Sequence, residues 1–109
     1  MSKLEFIQGT LDVLVLKALS WEAMHGYAIS AFLRQQTSGA FELEEGALYH
    51  ALHRLDRRGL VRSYWGVSEN NRRARYYEIT RAGRSFLQKE VTRWKRYVQA
   101  VFAVLEPAP

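Results

Sequence analysis

Twelve arginines, three histidines, six tyrosines and three tryptophans are the side chains with most chemistry to offer in this 109-residue chain. Many of them fall close together. Tyr49, His50, His53, Arg54 and Arg57 lie within nine residues, and Arg62, Arg72, Arg73 and Arg75 follow. Each can donate or accept hydrogen bonds, and none is acidic. The planar fork of arginine suits phosphate oxygens and guanine edges. The chemistry in view is recognition of a polar, negatively charged partner, with no bond made or broken. The charge distribution agrees. Residues 1–53 hold three basic and six acidic side chains, a net of −3, whereas residues 54–109 hold thirteen and five, a net of +8. A surface that is simply arginine-rich for solubility would spread its cations. Here they cluster between Arg54 and Arg84, as in a polyanion-binding face.

Catalytic chemistry finds no footing. Cysteine is absent, which removes disulfides and thiolate metal sites. Ser20, Ser30, Ser38, Ser63, Ser68 and Ser85 have no base in context, and there are no paired carboxylates and no phosphate-cradling glycine loop. His50 and His53 stand at i and i+3, close enough to share a metal, but that face offers neither cysteine nor a well-placed carboxylate. The expectation is a binding protein with no catalytic residue, cofactor or metal. His25 reads as a helix-start residue bonded locally. The densest apolar stretch, residues 11–19, is too short for a bilayer and carries Asp12 and Lys17, so a cytoplasmic location is expected.

The elements that must position these residues follow from periodicity. Leu11, Val13, Leu14, Val15, Leu16, Ala18 and Leu19 are apolar on nearly every face, which predicts a helix central to a core, with Thr10 as its N-cap. A second helix is predicted from Gly26 to Gln36, closed by Thr37, Ser38 and Gly39. Over residues 44–59, Leu48, Leu52 and Leu55 fall within about 60° of one another, with Ala51 at their border. That leaves Tyr49, His50, His53, Arg54 and Arg57 on the outward face of an amphipathic helix. After Gly59 the period changes to two. Residues 61–65 and 76–80 alternate as strands, and residues 66–75 between them carry turn formers and three arginines. Three helices and then a basic hairpin is the order of a winged helix-turn-helix. The fold class is therefore α+β, mostly α, with a two-stranded wing.

A last helix is predicted from Arg81 or Ala82 to Leu105, before Pro107. Leu87, Val91, Trp94, Val98, Val101 and Leu105 are spaced 4, 3, 4, 3, 4, a coiled-coil type of seam. At roughly 36 Å such a helix is longer than the body of so small a domain. Its stripe can pack on the chain's own first helix or on a second copy, and dimerisation, with residues 1–8 in support, is the expectation. Residues 1–80 then make the DNA-binding unit, and residues 81–109 the dimerisation helix and short tail of one structural unit.

Four stretches also resemble the PadR-like transcriptional regulators. They are Gly9-Thr10-Leu11-Asp12-Val13-Leu14-Val15-Leu16, His25-Gly26-Tyr27-Ala28-Ile29, the run from Gly46 to Leu55 with Gly59-Leu60, and the run from Arg73 to Gly83. Two departures stand out: many members have proline where this chain has His50, and proline or more basic residues in the wing where it has Ala74. The chain is similar to the short branch of the family, without the larger C-terminal helical domain. The resemblance implies a homodimer on a roughly palindromic duplex operator, usually a repressor, responding to small and often aromatic molecules. Tyr49 would then hold phosphate or sugar, His50, His53, Arg54 and Arg57 would face the major groove, and Arg62, Arg72, Arg73 and Arg75 would serve the wing. Trp94 would meet its symmetry mate, either as plain interface packing or with Val98, Phe6 and Tyr97 as neighbours of a flat ligand that changes the angle between the wings. The rival reading is a winged-helix module for RNA or a protein partner that reads no duplex sequence.

Overall fold

A computed structural model describes Leu4, Phe6, Ile7 and residues 9–108. Of the N-terminal segment expected to support a dimer, residues 1–3, 5 and 8 therefore lie outside the described residues. The element order is α1 (Thr10–Leu19), β1 (Met24–His25), α2 (Gly26–Gln36), α3 (Glu45–Arg57), β2 (Val61–Val67), β3 (Arg73–Ile79) and α4 (Arg81–Leu105).

The all-round apolar character of α1 puts it at the centre. Val15, Leu16 and Ala18 are wholly buried, and α2, α3, α4 and β3 all pack against this helix. Its N-terminus differs from the sequence expectation. Gly9 is the N-cap, at φ 86°, and Thr10 is the first helical residue. Glycine takes that left-handed conformation without the Cβ clash that threonine would suffer. His25 caps α2 as expected, its Nδ1 accepting from the Ala28 N–H at 3.1 Å. On α3 the predicted apolar stripe Leu48, Ala51, Leu52 and Leu55 is buried against α1 and the sheet.

The wing is larger than its sequence pattern. β2 and β3 pair antiparallel from Val61↔Ile79 to Val67↔Arg73, and β1 adds a third strand through Met24↔Tyr77 and His25↔Tyr76. The sheet order is β1-β3-β2. Arg73 and Arg75 are thus strand residues, and only Arg72 belongs to the turn. A two-residue strand such as β1 has no period to read, and the basic side chains that mark a loop in sequence stand here at the outer end of the ladder, on the face that carries Tyr77 and Ile79 further in.

One junction ties α3, the sheet and α4 together. The Thr80 hydroxyl donates to the Gly59 carbonyl at 2.7 Å and accepts from the Gly83 N–H at 3.0 Å, while the Thr80 N–H donates to the Leu60 carbonyl at 3.0 Å. A Cβ on Gly83 would collide with the Leu60 carbonyl oxygen, so only glycine lets α4 start this close to the strand. From there α4 runs for 25 residues, about 37 Å. The longest dimension of the molecule is 57 Å.

Candidate nucleic-acid interface

At 100° per residue, Tyr49, His53, Arg57 and His50 span about 100° of α3, opposite its buried leucines. All four are exposed, Tyr49 at 55%. Arg54 lies some 40° further round, and its guanidinium is already engaged. Its Nη2 donates to Asp12 Oδ1 at 2.7 Å and its Nε to Oδ2 at 3.2 Å. The hydrogen bond and charge of Asp12 raise the Arg54 pKa above its ordinary value, against a smaller opposing effect of burial. Sequence spacing groups Arg54 with the outward face; in the folded chain it bridges α3 to α1.

The wing arginines also divide. Arg62 Nε donates to Glu78 Oε1 at 2.6 Å, its cross-strand partner in register. Among the described residues Arg72, Arg73 and Arg75 have no carboxylate partner. Arg73 and Arg75 lie over the Trp65 ring at 4.3 and 5.9 Å from its centroid, and Arg75 Nε donates to Ser63 Oγ at 3.0 Å. Helix and wing share one neighbourhood through Tyr77. Burial pushes its hydroxyl pKa up, Arg75 of the wing pulls it back, and Tyr49 and Asp56 of α3 add to the rise.

Two further exposed aromatics, Tyr27 and Trp65, were not singled out by sequence reasoning. Tyr27 opens α2 beside Gly26, whose Cα lies against Leu48 of α3 closely enough that a Cβ would meet Leu48 Cδ2 at 3.6 Å. Trp65 reads in sequence as one more aromatic of a strand. The available signal was its period-two phase with Val61 and Ser63, which puts it on the same face as the core residues but beyond the core's edge.

The proposed dimer stripe splits in two. Leu87 is 7% exposed and belongs to the core of its own chain, while Val91 and Trp94 pack half-buried against that core. The physical reason is the arrival of α1 alongside the first half of α4. Leu87 is therefore corrected from an expected interface residue to a core residue. Val101 is half-buried, and Val98 and Leu105 are exposed at 40% and 66%. Tyr97 meets Trp94 edge-on at 6.0 Å, whereas the Phe6 ring is taken up by Phe41, stacked at 4.4 Å. No helix among the described residues is long and apolar enough to cross a membrane.

A central helix, a following helix pair and a basic antiparallel hairpin define a winged helix, the class expected from the element order. Residues 15–89 match the Transcriptional regulator PadR-like family, and the chain belongs to it. Solved structures agree. A transcriptional regulator from Clostridium thermocellum is 30% identical, with TM-score 0.78 over 86% of this chain and 88% of that one. A PadR family transcription regulator from Clostridium difficile is 29% identical, with TM-score 0.75 over 89% and 98%. The fold also extends to Bacillus subtilis PadR, solved in complex with operator DNA, at 17% identity and TM-score 0.65 over 74% of this chain and 46% of that one.

Proposed function

We propose that this chain is a homodimeric, sequence-specific DNA-binding repressor, acting in the cytoplasm and relieved by a small aromatic effector. One observation carries the reading. The exposed hydrogen-bonding face of α3 adjoins a hairpin whose Arg72, Arg73 and Arg75 have no carboxylate to neutralise them among the described residues. In this reading Tyr49 holds the backbone, His50, His53 and Arg57 face the major groove, and the wing arginines grip phosphate or the minor groove. Arg54 and Arg62 contribute chiefly by fixing the frame through Asp12 and Glu78. Residues 1–80 bind DNA, and residues 81–109 join two copies through Val98, Val101 and Leu105. Half-buried Trp94 with Tyr97 is the aromatic surface on which a flat ligand would stack. The operator complex of Bacillus subtilis PadR, which shares the fold, supports duplex DNA as the partner.

The test is selection of bound duplexes from a random pool at near-physiological salt. A palindromic consensus is the expected result, because a two-fold dimer presents two copies of α3 to two half-sites. Salt-dependent binding with no enriched sequence would sink the reading and favour a module for RNA or a protein partner.

A further inference from the structure

Trp65 stands 57% exposed on the wing, yet it is not an isolated apolar residue. The register places it opposite Arg75, and the next pair on that face is Val67 with Arg73. Toward the body the same face carries Ser63 with Tyr77 and then Val61 with Ile79, the buried end of the sheet. The wing therefore continues the core-facing side of the sheet out into solvent, and Trp65 is the large ring at its centre. Both flanking guanidiniums lie over that ring, Arg73 at 4.3 Å and Arg75 at 5.9 Å. A guanidinium over an aromatic face is held by the ring quadrupole while the N–H donors at its edge stay available for phosphate oxygens.

The opposite face stiffens the platform. Tyr64 and Tyr76 stack at 5.6 Å and 11°, and His25 meets Tyr76 at 5.3 Å. Gly66 makes room for this stack, since a Cβ there would stand 2.9 Å from Tyr76 Cδ1. The Tyr76 hydroxyl donates to the Val67 carbonyl at 3.2 Å, tying the strand end beside Trp65.

We propose that Trp65 is a positioning residue for nucleic-acid binding, whose indole holds the Arg73 and Arg75 guanidiniums ordered on the wing before a duplex arrives. This rests on the DNA-binding reading above and deepens it. Truncating the indole removes the support without removing a charge. The two arginines still reach phosphate, but they are ordered only on binding, and affinity falls through that entropy. The number of phosphates contacted stays the same, so the salt slope stays the same.

The experiment is a double-mutant cycle on the full chain, with affinity for duplex DNA titrated against salt. Trp65→Ala should weaken binding about five- to tenfold at fixed salt with an unchanged slope. Trp65→Phe, whose ring can still hold a cation, should recover part of the loss. Added to Arg73→Ala with Arg75→Ala, Trp65→Ala should cost nothing more. Binding by Trp65→Ala within about twofold of the wild type would overturn the proposal. So would an undiminished loss in the background lacking both arginines, or a slope lowered as far as in that double variant, since each means that Trp65 acts directly or only holds the hairpin together. A wild-type chain that binds no duplex would remove the DNA-binding reading together with this one. Wild-type binding with an additive cycle would remove this inference alone.

Discussion

Asp12 is 14% exposed in its side chain, Arg54 is 52% exposed, and two hydrogen bonds run between them. Bidentate geometry fixes orientation, but a pair this open to water contributes at most about 1 kcal/mol. The raised pKa of Arg54 means that its contribution is fully present below the ordinary arginine value and is lost only as pH rises beyond it. No effect of this arginine's titration is therefore expected near neutrality. The two exposed arginines of α3 should separate cleanly. Arg54→Ala should cost about 0.5–1 kcal/mol of stability and leave the salt slope of DNA binding unchanged. Arg57→Ala should leave stability alone and lower that slope by about one. Thermal unfolding and salt titration of both variants check this, and a lowered slope in Arg54→Ala would return that residue to the DNA-facing set. Residue type and helical phase were enough to place Tyr49, His50, His53 and Arg57 outside. They were not enough to show that Arg54 is held by Asp12, because that partner lies 42 residues earlier on another helix.

Two glycines of the helices have opposite surroundings. Gly83 lets α4 begin against Leu60, just before β2, and the end of β3, where a Cβ would strike the Leu60 carbonyl oxygen and stand 2.7 Å from Ile79 Cγ1. Backbone cannot yield as a side-chain tip can, so Gly83→Ala should cost about 2–3 kcal/mol, a fall in melting temperature on the order of 10 °C. Gly46, in the first turn of α3, has nothing within 4 Å of the added carbon. Gly46→Ala should raise stability by about 0.5 kcal/mol, chiefly by restricting the unfolded chain. Differential scanning calorimetry on the pair tests the junction; a harmless Gly83→Ala would mean that α4 can shift away from the strand. The helices were legible because apolar residues at three-to-four spacing announce a buried stripe. The hairpin was legible from alternation, but its full length was not, since Arg73 and Arg75 break the apolar pattern while keeping the ladder.

Across the whole molecule, α4 works at two distances from the core. Its first half closes the chain's own core through Gly83 and Leu87, and its second half presents Val98, Phe102 and Leu105 to solvent. Apolar side chains repeating along a helix beyond the body of its own domain are the pattern that a second helix covers. Val98→Asp should leave the fold intact, because the site is 40% exposed, and yield monomers by sedimentation. A dimer that survives this charge would remove the far half of α4 from the interface. Quenching of tryptophan emission by planar aromatics should vanish in Trp94→Phe while Trp21 and Trp65 remain; persistent quenching would move the ligand elsewhere. The sequence by itself determined the class of fold, the helix that faces outward and the basic character of the wing, because all three are written in local period and charge. Tertiary structure decided which arginines are held by carboxylates, where the stripe of α4 stops serving its own core, and that Trp65 lies beneath two guanidiniums. Those are contacts between residues distant along the chain or across a register, and no local period encodes them.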